Sequence, residues 1–312
     1  MVFYYLPNAY KKQCNKISKD KFMKSMKTFN EKLFKSITYL TTLFTIFCLG
    51  GIIITIFFEG LPILKYSKLN ELFGVAWHPT SFPPEFGFLP LIAGSIIITI
   101  GALIIAIPFG VGSAIYISEI AGNRTKEIIK PIIELLAGIP SVVYGLFGMA
   151  FLSPFLIKIF GIPTGLNALS ASIILGIMVI PIISSMSEDA LSSVPKNLRE
   201  ASLALGATKW ETIIKVVLPS AKNGVVGSIT LGFGRAIGET MVVIMVAGGA
   251  AQIPSSIFQP VRPMTTAIAA EMGETVNGSP HFHALFAISI ILFLITFITN
   301  FITEFVFLKR KN

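Results

Sequence analysis

Two ionisable residues of this sequence sit where charge is costly. The segment Gly232-Phe233-Gly234-Arg235-Ala236-Ile237-Gly238-Glu239-Thr240 lies inside an apolar run covering about 221–247. An arginine at mid-membrane costs about 2.5–3.5 kcal/mol on insertion scales, so it needs a partner or a task there. Arg235 and Glu239 are four residues apart, on one face of a continuous helix, and can pair. Gly234 and Gly238 make a G-x-x-x-G step that lets a neighbouring helix backbone come close. The chemistry on offer is anion passage. Arg235 would meet an anion in a central pathway, Glu239 would tune it or gate release, and Thr240 adjoins the same pathway. The bland reading is a buried ion pair that only fixes packing.

A second charged stretch runs from Arg199 to Pro219 and carries Arg199, Glu200, Lys209, Glu211 and Lys215 between two apolar segments. That charge density cannot lie in hydrocarbon, so the stretch belongs in water or at the membrane face. Leu203, Leu205, Trp210, Ile213 and Ile214 are interleaved with the charges. The pattern predicts a short surface helix from about 188 to 205 and a break at Gly206. A second helical run then re-enters the membrane near Val216, with Pro219 near its start. Amphipathicity alone reads equally well as an ordinary loop between spans.

The elements that must hold these residues follow from composition. With 53% hydrophobic and 13% charged residues over 312, the chain reads as an all-α, polytopic membrane protein. Six spans are expected, over about 37–58, 89–117, 131–157, 168–187, 221–247 and 283–307, the second tilted or kinked at Pro108. Residues 1–35 form a basic tail with nine lysines against Asp20 and Glu31, a net +7, directly before the first span at 36–58. This positive-inside signature, with basic loops at 119–130 and 188–222 and Lys309-Arg310-Lys311 at the end, predicts N-in/C-in topology. Residues 59–88 are then an extracytoplasmic loop. Residues 89–308 form the core, with a cytoplasmic loop at 188–219, and 309–312 a basic cytoplasmic end. The first run is long and lacks a small-residue cleavage site, so it reads as a retained helix rather than a signal peptide.

Several chemistries are disfavoured. The net +9 is concentrated in the tail, which speaks for topology and anionic headgroups, not nucleic acid. Cys14 and Cys48 fall on the cytosolic side and in lipid, so no disulfide is expected. No G-x-x-x-x-G-K-[ST] occurs, so the chain is expected to be no enzyme and not to hydrolyse ATP. No nucleophile–base–orienter set stands out, and no cofactor is expected. His281 and His283 could hold a metal at i and i+2. With only His78 elsewhere and no cysteine on that side, a loop role is favoured and no metal site is expected.

Two sets of motifs carry a family resemblance. Glu200-Ala201-Ser202, then Gly206, then Val216-Val217-Leu218-Pro219 resembles the EAA loop of ABC importer permeases, with Ser202 and Val216 as conservative departures. In that family the loop forms coupling helices that fit a groove on a cytosolic ATPase. The residues make physical sense there: Ala201 and Ser202 permit close approach, Glu200 offers a docking charge, and Gly206 gives a sharp turn. G-R-A-I-G-E-T-M at 234–241, K-P-I-I-E-L-L-A-G-I-P-S-V-V-Y-G at 130–145 and M-T-T-A-I-A at 264–269 are similar to phosphate-specific ABC permeases of the PstC type. So are W-H-P and F-G-F-L-P within 77–119, and the likeness covers most of the chain after the tail.

The resemblance implies an ABC importer permease fold in a prokaryotic cell membrane and ATP-driven import of inorganic phosphate. It implies delivery by an extracytoplasmic phosphate-binding protein, a cytosolic ATP-binding subunit dimer, and a related PstA-type permease as hetero-dimer partner. Arg235 and Glu239 match the fifth-helix residues implicated in transport. Glu134 lies within about one turn of the expected cytoplasmic surface, where snorkelling and packing compete with a gating role. Pro140 with Gly138 would open the third helix locally and free backbone groups to line a cavity. Three other readings stay open: a permease for sulfate, molybdate or tungstate, an ion-driven carrier, and a scaffold reporting phosphate status.

Overall fold

The computed structural model describes residues 8–308, with side chains from 33 to 305. The lysines up to Lys32, Cys14 and the end at 309–312 lie outside the described side chains. The chain divides into two compact units, Met1–Thr55 and Ile56–Asn312. The first helix, α1, spans Asn8–Gly60, and its apolar stretch is long enough to cross a bilayer. In the first unit the hydroxyls of Thr38, Thr41, Thr42, Thr45 and Thr55 donate back to carbonyls three or four residues earlier. This back-bonding satisfies these five hydroxyls in an apolar surround.

In the second unit a short 3-10 turn, Leu61–Lys65, leads to α2 (Leu69–Leu72) and a two-residue hairpin. Its strands are β1 (Trp77–His78) and β2 (Glu85–Phe86), antiparallel, with Trp77 opposite Phe86. The centre is built from α3 (Leu89–Ile115) and α7 (Ala168–Ser192), lying parallel. Gly101 faces Ser172, Gly110 faces Ile183, and the Ser113 and Ser184 hydroxyls meet at 2.8 Å. Pro108 sits inside α3 without ending it. Helix α11 (Lys222–Ile237) runs antiparallel to α7, with Gly224 on Ala190, Ser228 on Ser187 at 2.6 Å and Gly232 on Ile183. Glycines and serines therefore form the seams. Small residues let backbones approach where lipid gives helices no hydrophobic reason to associate.

Between α3 and α7 lie α4 (Asn123–Ala137), α5 (Ser141–Phe147) and α6 (Ser153–Phe160), the last two joined by a π turn at Gly148–Leu152. The third crossing is thus Ser141–Phe160, not 131–157. Residues 131–137 belong to α4, which buries no side chain of its own. The displacement comes from Pro140, which lacks an N–H and biases Ile139 away from helix, next to Gly138. Beyond α7 come α8 (Lys196–Ala204), α9 (Lys209–Thr212), a π turn at Ile213–Val217 and α10 (Leu218–Ser220), which lead into α11.

The run read as a fifth span is not one helix. It stops at Ile237 and resumes as α12, Met241–Val246. Glycine costs roughly 1 kcal/mol in a helix interior, and Glu239 competes locally for backbone amides, so Gly238-Glu239 is the weak point. Among the described residues five helices are long and apolar enough to cross a membrane, and this broken segment is not among them. After α12, Gly248 and Gly249 turn with φ of 84° and 72°, and Val261 N–H donates to the Ala247 carbonyl at 2.9 Å. Helix α13 (Met264–Glu271) and the long α14 (Pro280–Ile302) complete the unit.

Candidate functional site

Glu239 sits at the break between α11 and α12 and ties three elements together. Its amide donates to Ala236 O at 3.3 Å, and its carboxylate accepts from the amides of Met241 (3.1 Å) and Val242 (3.3 Å). Its carbonyl accepts from the Thr265 hydroxyl of α13 at 2.9 Å. The side chain is therefore the cap of α12, and the Arg235–Glu239 ion pair expected for a continuous helix does not form. The i, i+4 geometry needs an unbroken helix, and the break at Gly238 removes it. Thr240 donates weakly to Gly238 O at 3.4 Å.

Arg235 makes no hydrogen bond or ion pair with any described residue. It lies on an exposed stripe of α11 with Leu231 and Gly238, and its charge reaches the Tyr144 ring of α5. A Cβ on Gly234 would meet open space, and one on Gly238 only its own helix, so among the described residues the G-x-x-x-G step approaches no other helix. The result is an unpaired guanidinium, with five N–H donors in a planar fork, on a face of otherwise apolar and small residues. Such a group suits a tetrahedral oxyanion, which accepts two parallel hydrogen bonds.

The second candidate region is a surface made by α8 and α9. Gly206 supplies the turn between them with φ of +87°, a conformation that side chains with a Cβ rarely adopt. The hydroxyls of Ser202 and Thr212 meet at 2.9 Å and hold the two helices together. Thr208 caps α9 and Glu211 reaches back to the Thr208 amide at 3.0 Å, a capping box. The backbone hydrogen bond from Thr208, followed by Lys215, holds the Glu211 carboxyl down to about 2. Glu200 and Ala201 are exposed, as are Leu198, Leu203, Trp210, Ile214 and, at 90%, Leu205. Leu218 is half-buried and Pro219 exposed on the return.

This surface is fixed to the body by contacts that composition and spacing do not reveal. Arg199 forks onto Glu119 in the π turn Tyr116–Ile120 that follows α3, Nη2 to Oε1 at 2.7 Å and Nε to Oε2 at 3.1 Å. The same Nη2 donates to Leu191 O at 2.8 Å. On the neighbouring side, Lys126 and Lys130 of α4 each reach Glu188 of α7 at 2.6 Å, and Lys130 also reaches Asp189 at 2.7 Å. Hydrogen bonds to Asp189 and Glu188 raise the Lys130 pKa above the ordinary lysine value. Glu188 is only 2% exposed, so its charge is carried by those two lysines and by Ser192.

Glu134 is exposed on α4, and Gly138 and Pro140 form the joint between α4 and α5 rather than a gap within a span. Tyr144 crosses that joint, its hydroxyl donating to Leu136 O at 3.1 Å. His281 and His283 turn to separate partners, Glu271 at 2.8 Å and Glu59 O at 2.7 Å. Glu271 also accepts from Arg262 (2.6 Å) and from the Trp77 indole (3.2 Å), a node assembled from distant parts of the chain.

Residues 106–311 match the family described as binding-protein-dependent transport system inner membrane component. The chain is 41% identical over 248 residues to the probable ABC transporter permease protein YqgH of Bacillus subtilis, covering 78% of this chain and 80% of that protein. It is 35% identical over 295 residues to the phosphate transport system permease protein PstC of Haemophilus influenzae, covering 87% and 92%. In fold it is similar to a chain of a bacterial alginate ABC transporter in complex with an alginate-bound periplasmic protein. There the TM-score is 0.58 at 15% identity, covering 94% of this chain and 97% of that one. It is also similar to a chain of the MetNI methionine ABC transporter, with TM-score 0.52 at 22% identity, covering 70% and 92%. The chain belongs to the binding-protein-dependent transport system inner membrane component family, as an ABC transporter permease of the PstC type and a multi-pass protein of the cell membrane.

Proposed function

We propose that this chain is the membrane subunit of an ATP-driven importer of inorganic phosphate. The observation that carries the reading is Arg235, a guanidinium exposed on α11 that has no hydrogen bond or ion pair to any described residue. Phosphate transport by the PstC relatives supports the choice of anion. Arg235 contacts the anion, and Glu239 and Thr240 shape the break beside it. The broken pair α11–α12 counts as a crossing, which makes six, with both chain ends in the cytoplasm.

The open G-x-x-x-G face at Gly234 and Gly238 is the approach for a related PstA-type permease, so the pathway lies between two subunits. A binding protein delivers phosphate at the opposite membrane face. The exposed apolar side chains around Leu205 and Trp210, with Glu200, Ala201, Ser202, Gly206, Leu218 and Pro219, dock one subunit of a cytosolic ATPase dimer. Hydrolysis there moves α3 and α7 through the Arg199–Glu119 link.

Labelled phosphate uptake tests the reading, in cells lacking their own transporter and supplied with this chain and its genomic neighbours. Uptake should need ATP, resist sulfate and molybdate, and vanish in Arg235→Ala with the complex still assembled. Arg235→Lys, which keeps the charge and loses the fork, should fall between. Competition by sulfate or molybdate would move the cargo to another oxyanion, and normal uptake by Arg235→Ala would remove Arg235 from the pathway.

A further inference from the structure

Helix α13 spans the distance between the break joining α11 to α12 and the carboxylate node at Glu271. Its first turn is held at the helix break. The Met264 amide donates to the Ser95 hydroxyl of α3 at 2.9 Å, and the Thr265 hydroxyl donates to Glu239 O at 2.9 Å. Met264, Thr265, Thr266 and Ala267 are all buried, so this end has little freedom. Its last residue is Glu271, whose carboxylate takes Arg262 at 2.6 Å, His281 at 2.8 Å and the Trp77 indole at 3.2 Å. Arg262 in turn donates to Gly249 O at 2.7 Å. Trp77, Arg262, Glu271 and His281 line a cleft of about 360 Å³ together with Thr80 and Glu274. The side chain of Glu271 is 13% exposed, so the node is anchored in the body yet reaches the cleft wall.

We propose that α13 is a strut that positions the transport break, with Thr265 and Glu271 as its two positioning residues. The eight-residue helix has side-chain hydrogen bonds at both ends and only about two turns of continuous helix between them, so it moves as one body. A shift of the node at Glu271 is thereby delivered to the Glu239 carbonyl, and with it to the α12 cap and the turn that follows Arg235. The hydroxyl of Thr265 is the only side-chain donor to that carbonyl among the described residues. Neither residue touches the anion; both act through Glu239. The idea rests on the proposed role of Arg235 and Glu239, and its test separates the two.

The test uses the transporter complex purified with its partners, as Thr265→Val, Thr265→Ser, Glu271→Gln and the Val/Gln double variant. On whichever anion the wild type carries, Thr265→Val should lower the maximal uptake rate roughly fivefold with KM little changed, the loss of one neutral hydrogen bond. Thr265→Ser should restore it. Glu271→Gln should lower the rate by a similar factor, and the double variant should be no slower than the slower single, because both changes release the same strut. Hydrogen exchange at the Met241 and Val242 amides reads the strut with no substrate. Both single variants should speed exchange there severalfold. Multiplying rate losses, a normal rate in Thr265→Val, or unchanged exchange at 241–242 in Glu271→Gln would each overturn the proposal. Failure of phosphate as cargo, with the exchange effect intact, would overturn only the choice of substrate.

Discussion

Arg199 and Glu119 are joined by a two-pronged hydrogen bond, at 2.7 and 3.1 Å, that ties the first helix of the exposed loop to the π turn after α3. Both side chains are largely withdrawn from water, so the pair is harder to screen than an ordinary surface bridge. Removing one partner strands the other charge. Arg199→Ala should destabilise the assembled transporter by about 1.5–3 kcal/mol, the range for hydrogen bonds to charged groups. Its ATP hydrolysis should also become less tightly linked to uptake. Thermal melting and the ratio of phosphate imported to ATP consumed check the two halves of this expectation.

Gly206 gives a cleaner test of loop geometry. A methyl group there meets nothing within 4 Å, so any penalty comes from the φ of +87° alone. Gly206→Ala should cost about 1–2 kcal/mol in loop order, and Gly206→Asn less, because asparagine tolerates the left-handed region. Transport coupling should follow the same ranking, Gly above Asn above Ala. Equal coupling in all three would show that the turn is not used.

Leu205 is 90% exposed at the apex of the same turn. An apolar side chain in that position gains only when a partner covers it, so Leu205→Glu should abolish copurification of the ATPase subunit. The helical content of the permease should stay the same by circular dichroism.

The capping box of α9 carries a pH signature. Glu211 has a folded pKa lowered from 4.5 to about 2, so its contribution is complete above the ordinary carboxylate range. It fades as pH falls toward about 2. Trp210 adjoins the box and is one of two tryptophans in the chain. In a Trp77→Phe background its emission should stay constant from neutral pH down to about 4.5 and change only below it. In Glu211→Gln the neutral-pH emission should already match the acid form.

The parts legible in the sequence are those that local residues decide. The turn at Gly206 is readable because glycine between two amphipathic runs has few other uses, and α7 and α14 are readable from length and apolarity. The break at 238–240 is hidden because the apolar pattern runs straight across it, and an Arg–Glu pair at i, i+4 presupposes the continuous helix that is absent. The start of the third crossing is misplaced for a similar reason. Ile132, Ile133, Leu135 and Leu136 look like the beginning of a span, while Pro140 sets the true start. The node at Glu271 has no sequence signature at all, since Trp77 lies 194 residues away from it. Lys126 and Lys130 likewise read as ordinary loop charges until α7 brings Glu188 beneath them.

The glycine seams among α3, α7 and α11 also bound how this chain can diversify. A methyl group at Gly101 would press on Ser172 at 2.8 Å or less, one at Gly110 on Ile183 at 2.8 Å, and one at Gly232 on Ile183 at 2.9 Å. Gly234, one step from Arg235, has empty space around it. Within this chain, larger side chains are therefore blocked along the inward seams, while beside the lone guanidinium only a partner surface would limit them. On the proposed reading of Arg235, a change of cargo preference has room on that face, over seams that do not accept larger side chains.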